Sequence, residues 1–416
     1  MAGELERVVV VGASLAGLRA AESLRNEGFE GSITVIGAEP HRPYDRPPLS
    51  KKLLAGEWEA DRIQLRQPDA FDDLDVEWRF GTAAAGLDTT ERVVHLTDGT
   101  DVPFDGCIIA TGAACRRLTE QGRFDHAHEL RTLDDAMRLR SEIESGDKRV
   151  VVIGAGFIGL EAAATAKQLG NEVIVLEGAE APLIRGLGAD MGRAIQTVHE
   201  KNGVEVRCGV QVDRLHEDGV LLASSDEGGE PELIQADVVL VGIGVVPATA
   251  WLADSGLELR DGVVCDETLM ARTTDGGQAH GIYAAGDLLR WPNQLFDEEM
   301  RVEHWTNAAE QGARAAENLL AVARGDDATP YAAVPFFWSD QFDARIQFVG
   351  RAGPDDDVTV AAGSVDDGKW LALYSRNGHL RGALGVSAPR WVMPMRNLLA
   401  ESASLDDALA RAAEFG

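Results

Sequence analysis

Two glycine-rich turns have the residue types and spacing that bind the diphosphate group of a dinucleotide. They are residues 12–17 (GASLAG) and 154–159 (GAGFIG), and each follows four consecutive valine or isoleucine residues. In such a turn the first glycine permits the tight bend, the second lets the backbone approach the diphosphate, and the third lets the helix pack on the strand. Free N–H groups at the start of the helix face the phosphates. Two turns therefore predict two bound dinucleotides and electron transfer between them.

An acidic residue follows each turn at the distance needed to bind ribose hydroxyls. Glu39 and Glu177 stand about 20 residues after the last glycine, near the ends of the predicted strands 32–36 and 172–176. A carboxylate here accepts hydrogen bonds from the ribose but repels the 2′-phosphate of NADPH. Because no arginine follows Glu177 directly, the second turn favours NADH. Ser14 replaces the middle glycine of the first turn, and we expect this change to be tolerated because serine is small.

Hydrophobic periodicity predicts the strands and helices that position these turns. Residues 105–112 (DGCIIATG) and 236–244 (ADVVLVGIG) each predict a buried strand ending in a turn of small residues, so the two halves look like an internal duplication. Residues 281–287 predict a further strand that ends in an acid, and residues 132–146 predict a helix. From about residue 330, alternating apolar and polar residues predict an antiparallel sheet.

Length and composition argue against several classes of protein. A chain of 416 residues is long enough for two or three domains. Its net charge of −30 argues against nucleic acid or an anionic membrane as a partner. No apolar run approaches the ~18 residues of a membrane helix, and the acidic N-terminus is unlike a signal peptide, so we expect a cytoplasmic protein. Four scattered cysteines without a CxxC pair predict neither a disulfide framework nor a redox dithiol, and no metal site is expected.

Three longer strings resemble the NADH-dependent ferredoxin reductases of bacterial monooxygenase and dioxygenase electron-transfer chains, which are flavoproteins with the glutathione reductase fold. The strings are residues 40–51 (PHRPYDRPPLSK), 303–308 (EHWTNA) and 337–342 (FWSDQF). Together with the two turns, they extend the resemblance over essentially the whole chain. It implies an α/β protein with two Rossmann-like dinucleotide-binding domains, for FAD and NAD, and a C-terminal α+β interface domain with an antiparallel sheet.

The resemblance also implies domain boundaries and cofactor-binding residues. The expected divisions are 1–115 and 248–327 for the FAD-binding domain, 116–247 for the NAD-binding domain and 328–416 for the interface domain. The implied FAD-binding residues are Gly12, Ser14, Leu15, Ala16, Gly17, Glu39, Arg46, Lys51, Ala84, Thr111, Gly112, Arg131, Gly286, Asp287 and Trp305. The implied NADH-binding residues are Gly154, Gly156, Ile158, Gly159, Glu177, Arg185 and Gly242. His304 is expected to pack at the cofactor edge rather than to donate a proton.

Lys51 and Glu161 are the predicted catalytic residues. The resemblance implies that Lys51 lies beside N5 of the flavin, where a cation favours the reduced, anionic form. Glu161 stands two residues after Gly159, and it could pair with Lys51 across the seam between two domains. The alternative is that Lys51 is an ordinary surface lysine and Glu161 a helix-start glutamate stabilised by the helix dipole.

The C-terminal part of the chain has an uneven charge distribution. Residues 368–400 contain no aspartate or glutamate, yet they include the cations Lys369, Arg376, Arg381, Arg390 and Arg396. We expect a basic patch that includes Arg376 and Arg381 to dock an acidic iron–sulfur ferredoxin. A second group of cations is His41, Arg42, Arg46, Lys51 and Lys52. The alternative is that strands are simply poor in acids and that these arginines are solvated.

The predicted function is that of an FAD-dependent ferredoxin reductase. It takes hydride from NADH and passes electrons one at a time to an iron–sulfur ferredoxin that feeds an oxygenase such as a haem-thiolate monooxygenase. A monomer or weak dimer is expected. One alternative is an NADH oxidase or disulfide reductase on the same fold, which would need a reactive cysteine where residues 46–51 (RPPLSK) have none. Another is a redox-switched NAD/FAD signalling flavoprotein.

Overall fold

The computed structural model describes residues 5–224 and 230–415 of the chain. Runs of valine and isoleucine form strands because β-branched side chains pack well on a pleated surface. The helices are α1 (Leu15–Asn26), α2 (Pro68–Asp72), α3 (Leu133–Ile143), α4 (Phe157–Gln168), α5 (Ile184–Leu187), α6 (Ala189–Lys201), α7 (Trp305–Arg324), α8 (Pro389–Ala400) and α9 (Leu405–Ala412). The strands are β1 (Arg7–Val11), β2 (Ser32–Gly37), β3 (Glu77–Phe80), β4 (Ala84–Asp88), β5 (Val93–Leu96), β6 (Asp101–Pro103), β7 (Gly106–Ile109), β8 (Ala113–Cys115), β9 (Ala127–His128), β10 (Arg149–Ile153), β11 (Glu172–Glu177), β12 (Glu205–Cys208), β13 (Val212–His216), β14 (Gly219–Leu222), β15 (Glu232–Gln235), β16 (Val238–Val241), β17 (Val245–Pro247), β18 (Val263–Val264), β19 (Met270–Arg272), β20 (Gln278–Ala284), β21 (Leu289–Asn293), β22 (Glu298–Arg301), β23 (Phe336–Gln341), β24 (Ala344–Gly350), β25 (Asp357–Ser364), β26 (Lys369–Arg376) and β27 (His379–Val386).

One compact unit consists of the described residues of segments 1–45, 64–114 and 246–335. Its main sheet has the strand order β19-β20-β7-β1-β2-β3, in which every pair except β19–β20 is parallel. Helices α1 and α7 approach so closely that a Cβ atom on Gly312 would lie 2.2 Å from the carbonyl oxygen of Ala16. The first glycine turn joins β1 to α1, at the carboxyl end of a buried parallel strand. Dinucleotides bind at this end of the strands in such sheets.

The other compact unit consists of the described residues of segments 46–63, 115–245 and 336–416. Its parallel sheet has the order β12-β11-β10-β16-β9, and the second glycine turn joins β10 to α4. The antiparallel strands β13, β14 and β15 bury apolar side chains in the same cluster as this sheet, for example Val220 with Val239. The predicted helix 132–146 is α3, and its start is stabilised by a capping box between Thr132 and Asp135.

The C-terminal segment of this second unit is an antiparallel sheet with the order β23-β24-β27-β26-β25. Helix α8 packs on β27 so tightly that a Cβ atom on Gly385 would lie 2.2 Å from Cγ2 of Val392. The predicted fold class, two parallel dinucleotide-type sheets followed by an antiparallel sheet with helices, is confirmed. Among the helices of the described residues, none is both long and apolar enough to cross a lipid bilayer.

Candidate active site

The first glycine turn is closed by contacts that only glycine permits. Gly12 has a φ of +124°, and a Cβ atom there would lie 2.1 Å from the carbonyl oxygen of Ala110. A Cβ atom on Gly17 would lie 1.8 Å from the carbonyl oxygen of Gly12. Ser14 is the N-cap residue of α1. The residues predicted to bind the FAD diphosphate are thus brought together at the start of α1.

The second glycine turn shows why the two turns differ at their middle position. A Cβ atom on Gly154 would lie 2.4 Å from the carbonyl oxygen of Gly242, and one on Gly159 would lie 2.3 Å from that of Gly154. At Gly156, in contrast, a Cβ atom would contact no protein atom within 4 Å. The protein's own packing therefore demands the first and third glycines but not the middle one. The first turn carries the small residue Ser14 at the corresponding place, where packing of this kind would leave room for a short side chain.

Glu177 is held at the mouth of the second turn by two backbone donors. The N–H of Ala155 donates to its Oε2 at 2.7 Å, and the N–H of Ala179 donates to its Oε1 at 2.8 Å. Each carboxylate oxygen has a further lone pair, so both can still accept a hydroxyl. The residue predicted to select NADH is therefore oriented by the fold itself.

The residues predicted to bind the adenosine part of FAD lie near the end of β2. The Tyr44 hydroxyl donates to Oε2 of Glu39, and the Gly81 N–H donates to the Glu39 carbonyl oxygen at 3.0 Å. Ala84 follows three residues later, at the start of β4. Glu39 and Ala84 are thus held in the same region by this short loop.

Two further groups of predicted FAD-binding residues lie where β7 and β20 end. The Thr111 hydroxyl donates to the carbonyl oxygen of Ala248 at 2.8 Å, and the Ala248 N–H donates back to the Gly112 carbonyl oxygen at 2.9 Å. At the end of β20, the Gly286 N–H donates to Oε1 of the buried Gln311 at 2.9 Å. Because β7 and β20 are parallel neighbours, both turns lie at the same edge of the sheet.

Asp287 and Trp305 are held by polar contacts around the start of α7. The Arg301 guanidinium donates to the Asp287 carbonyl oxygen at 2.8 Å, and the Trp305 indole donates to Oδ1 of Asp45 at 2.7 Å. His304 is the N-cap residue of α7, and burial lowers the pKa of its imidazole to about 4 against the opposing effect of Asp287. His304 is therefore neutral at pH 7, in agreement with a packing role rather than that of a proton donor.

Lys51 and Glu161 form an ion pair in the interior of the second unit. Nζ of Lys51 lies 2.8 Å from Oε2 of Glu161, and the side chains retain only 16% and 6% of their exposure. Neither residue is therefore an ordinary solvated charge, and Lys51 does not belong to an exposed basic group with Lys52. The two residues lie within one unit rather than across a seam between two. Their catalytic roles remain predictions.

Glu161 also ends a line of buried polar side chains that is not apparent from local sequence patterns. Ser339 donates to Oε1 of Glu161 at 2.6 Å, the amide of Gln341 donates to Oγ of Ser339 at 3.0 Å, and Nε2 of His199 lies 2.9 Å from Oε1 of Gln341. Ser50 donates to the other oxygen of Glu161 at 2.5 Å. The sequence carries one sign of this line. Ser339 and Gln341 stand two residues apart in β23, so they share one face of a strand that is otherwise rich in aromatic residues.

The backbone that carries Lys51 is tied to helices α4 and α3. Thr165 stands one helical turn after Glu161, and its hydroxyl donates to the Ser50 carbonyl oxygen at 2.8 Å. The Arg46 guanidinium donates to the Arg131 carbonyl oxygen. These contacts bring the predicted FAD-binding residues Arg46, Lys51 and Arg131 together within the second unit.

The remaining predicted site residues differ in their exposure. Leu15 and Ala16 are buried in the first turn of α1, and their contribution to a ligand would come from the backbone. Ile158 is 42% exposed at the start of α4. Arg185, in α5, is exposed and makes no hydrogen bond or ion pair within residues 5–224 and 230–415. An unneutralised cation of this kind suits a phosphate group.

The residues present fit two dinucleotides. No protein atom lies within 4 Å of a Cβ position on Gly156, which leaves room for the close approach of a diphosphate. The backbone N–H groups of Ala155 and Ala179 fix the Glu177 carboxylate beside the same turn. On the other turn's side, the buried Nε2 of Gln311 has no hydrogen-bond partner among the described residues, although its Oε1 is bound to Gly286. A buried donor of this kind, beside predicted FAD-binding residues, is one that a bound cofactor can satisfy.

The acid-free stretch 368–400 is only partly a source of free positive charge. Arg376 forms an ion pair with Asp356, at 2.8 Å, and the carboxylate is buried. Arg381 is half-buried, whereas Lys369 and Arg390 are exposed. Nζ of Lys369 lies 4.5 Å from the centre of the Trp391 ring. The predicted patch therefore has Lys369 and Arg390 as its exposed cations, and the charge of Arg376 is largely compensated by an acid that lies outside the stretch.

None of the four cysteines has the properties of a redox-active thiol. All four are free, and Cys107 and Cys265 are buried. Burial raises the pKa of Cys107 to about 12 and raises the pKa of Cys265, Cys115 and Cys208 as well. Reactive thiols need a lowered pKa, so none of these four side chains shows the activation typical of a disulfide reductase nucleophile.

His199 predicts a dependence of stability on pH. Its buried imidazole has a lowered pKa because of desolvation, which the hydrogen bond to Gln341 opposes. The unfolded chain binds a proton near pH 6.5 and the folded chain does so only at lower pH, so stability is lost as pH falls below 6.5. The loss is at most about 1.4 kcal/mol per pH unit for this one group.

Replacement of His199 by glutamine, which keeps a donor for Gln341, is expected to flatten that dependence. Urea unfolding of the wild type and of His199→Gln at pH 7.5 and pH 5.5 measures it. The free energy of unfolding of the wild type should fall more between pH 7.5 and pH 5.5 than that of His199→Gln. A difference that is the same at both pH values would contradict the assignment of a lowered pKa.

Comparison with known proteins agrees with this geometry. Residues 6–312 match the family model described as pyridine nucleotide-disulphide oxidoreductase, and residues 336–415 match the model described as reductase C-terminal. The chain is 36% identical to rhodocoxin reductase of Rhodococcus erythropolis over 411 residues, which are 98% of this chain and 92% of that protein. It is 35% identical to the ferredoxin–NAD(+) reductase component of the anthranilate 1,2-dioxygenase system of Burkholderia cepacia, over 96% of this chain and 95% of that one. The crystal structure of the covalent putidaredoxin reductase–putidaredoxin complex superimposes with a TM-score of 0.86 at 31% identity, covering 96% of this chain and 94% of that chain.

Proposed function

This chain belongs to the pyridine nucleotide-disulphide oxidoreductase family, and from that membership we propose that it is an NADH-dependent, FAD-containing ferredoxin reductase. The observation that carries the proposal is similarity over nearly the whole chain to rhodocoxin reductase, to the ferredoxin–NAD(+) reductase component of a dioxygenase system, and to putidaredoxin reductase as solved in its covalent complex with putidaredoxin. The predicted family, activity and cofactors are thereby confirmed, and so is a ferredoxin as the partner. The roles of individual residues and the docking surface are proposals.

The chain's own residues bind and orient both cofactors. When bound, NADH supplies a hydride, and FAD accepts two electrons and returns them singly. The residues that would hold FAD are those of the first turn with Glu39, Arg46, Lys51, Ala84, Thr111, Gly112, Arg131, Gly286, Asp287 and Trp305. Those that would hold NADH are those of the second turn with Glu177, Arg185 and Gly242. N–H groups at the starts of α1 and α4 would hold the diphosphates, whose negative charge the helix dipoles would stabilise.

Lys51 supplies a fixed positive charge in this scheme. Glu161 and the Ser50 segment hold its ammonium group in one place, so no reorganisation is needed when negative charge develops beside it. Lys51 moves no proton in this role. Glu161 orients the ammonium group and lowers the cost of keeping that cation away from water.

A rapid-mixing experiment tests the function. The flavin is reduced anaerobically with NADH and then mixed with a small panel of ferredoxins, and the rate of cluster reduction is recorded. Fast reduction of at least one [2Fe–2S] ferredoxin is expected. Slow reoxidation with a long-lived NAD–flavin charge-transfer complex would instead support a signalling flavoprotein. The raised pKa values of the four thiols already argue against the disulfide reductase alternative.

We propose that an acidic ferredoxin docks on the acid-free stretch 368–400, the stretch that contains Arg376 and Arg381. In a chain of net charge −30, a local group of cations would attract an acidic partner while the remaining surface repels other orientations. The exposed cations Lys369 and Arg390 carry the steering charge. Arg376 is better suited to holding Asp356 than to contacting a partner.

Reversal of the two exposed charges is expected to slow ferredoxin reduction without affecting flavin reduction. The variant Lys369→Glu/Arg390→Glu should reduce ferredoxin about tenfold more slowly at low salt and with weaker salt dependence. Its NADH–ferricyanide turnover should equal that of the wild type. Lys201→Glu is the matched control, because it reverses an exposed lysine at the end of α6. Helix α6 contacts the C-terminal sheet through His199 at β23, which β24 and β27 separate from the strand that carries Lys369. Unchanged ferredoxin kinetics in the double variant would place the docking surface elsewhere.

The domain assignment, the cytoplasmic location and a monomeric or weakly dimeric state belong to the same proposal. The four free cysteines support a reducing compartment. The repeated strand–turn–helix units at residues 12–17 and 154–159 support one dinucleotide-binding domain for each cofactor.

A further inference from the structure

We propose that Ser339 and Gln341, on the first strand of the C-terminal sheet, are positioning residues for Lys51. They act through Glu161, and His199 anchors the far end of the line. The inference rests on the proposed function, because it takes Lys51 to be the cation beside the flavin. It adds that the C-terminal sheet, beyond any part in docking a partner, helps to set the position of that cation.

The direction of every hydrogen in this line follows from the carboxylate at its end. Glu161 can only accept, so Ser339 must donate its hydroxyl hydrogen to Oε1. The Ser339 oxygen must then accept from the amide nitrogen of Gln341, which turns the Gln341 oxygen toward His199. His199 therefore carries its proton on Nε2. Its buried Nδ1 has no hydrogen-bond partner among the described residues, as expected of the unprotonated nitrogen.

Because the line is buried, the loss of any of its hydrogen bonds is costly. Glu161, Ser339, Gln341 and His199 are all buried, and Ser339 and Gln341 have no exposed surface. A buried group that loses its partner cannot recover the bond from water, so these side chains have one favourable arrangement. The T-shaped contact between the His199 and Phe342 rings, with centres 5.3 Å apart, fixes the imidazole in the same way.

The two oxygens of Glu161 have separate tasks. Oε1 accepts from Ser339, and Oε2 accepts from Ser50 and Lys51. Loss of the Ser339 hydroxyl would leave Oε1 without its 2.6 Å donor in a buried site. The carboxylate would then rotate toward the remaining donors, and the ammonium group of Lys51 would move with it. A shift of this kind changes the electrostatic potential at the flavin without removing any charge.

A double-mutant cycle tests the proposal. Ser339→Ala is expected to slow flavin reduction by NADH about tenfold, as for one lost hydrogen bond to a charged group. It should also shift the flavin midpoint potential in the negative direction, as Lys51→Met does, but by less. In the Lys51→Met background, Ser339→Ala should change neither quantity further, because there is no cation left to position. Ser339→Thr, which keeps the hydroxyl, should restore the potential.

The controls separate this inference from the proposed function. Ser375→Ala removes another buried serine hydroxyl from the same sheet and should leave the potential unchanged. If Lys51→Met shifts the potential and Ser339→Ala does not, the positioning role is wrong and the role of Lys51 stands. If Lys51→Met itself has no effect, the proposed role of Lys51 fails. Should Ser339→Ala not fold, Gln341→Met keeps the hydroxyl but removes its orienting donor. A potential equal to that of the wild type in Gln341→Met would then overturn the inference.

Discussion

Replacement of Lys51 by methionine is expected to slow reduction of the bound flavin by NADH by about 100-fold, the usual effect of removing one preorganised electrostatic group. The structure holds the Lys51 cation against Glu161, with Nζ and Oε2 2.8 Å apart. A reduced flavin carries negative charge, so the barrier to forming it rises when this cation is lost. Single-wavelength stopped-flow spectroscopy of flavin bleaching under anaerobic conditions measures the rate.

The same variant should also be less stable, which must be separated from the effect on rate. Methionine leaves the Glu161 carboxylate buried without its cation, at a cost of about 3–5 kcal/mol. Lys51→Met/Glu161→Gln removes both charges, keeps an acceptor for Ser339, and should regain most of that stability. Its flavin reduction should remain slow. Recovery of the rate together with the stability would mean that Lys51 acts on the fold and not on the flavin.

Glu177→Gln is expected to lower the preference for NADH over NADPH by about 100-fold, expressed as the ratio of kcat/KM values. The change removes the charge that repels a 2′-phosphate, and it weakens the hydrogen bonds to the ribose. It also places an amide group where the backbone N–H donors of Ala155 and Ala179 now meet the two carboxylate oxygens. One of those donors would then face another donor, so the side chain loses its fixed orientation.

Steady-state assays with each coenzyme measure this ratio, and a second variant in the same strand serves as the control. Glu172→Gln removes an exposed carboxylate at the other end of the same strand and should leave the ratio unchanged. The flavin content and the reduction of ferricyanide at saturating NADH should stay near those of the wild type. An unaltered ratio in Glu177→Gln would show that coenzyme choice is made by another residue, and Arg185 would be the next to test.

Local sequence patterns were sufficient for the dinucleotide-binding turns. The strand, turn and helix at each site are adjacent in the chain. A side chain at the first glycine would clash with the end of the neighbouring strand, and one at the third glycine would clash with the first glycine of the same turn. The same holds for α3, whose capping box joins residues three apart. Alternation of apolar and polar residues was likewise enough to predict the C-terminal sheet, because its period is that of a strand.

Distances in sequence of more than 100 residues set the limit of what could be predicted. Ser50 and Ser339 lie 111 and 178 residues from Glu161, yet both donate to it. Even at a separation of only 20 residues, the pairing of Arg376 with Asp356 depends on how β25 and its preceding loop lie beside β26. Charge counted along a stretch cannot show which cations are already neutralised by acids from outside it.

The amino-acid sequence by itself determined the two strand–turn–helix units, the acids predicted to bind ribose and the family, because those features are encoded by residues close together in the chain. Only the tertiary structure decided that Lys51 is a buried, paired cation, that Glu161 is shared among three donors, and that the C-terminal sheet supplies one of them. The physical reason is that burial and hydrogen-bond partners are properties of the packed chain. A lysine or serine has the same letter in a solvated loop and in a dry interior, and only packing distinguishes them.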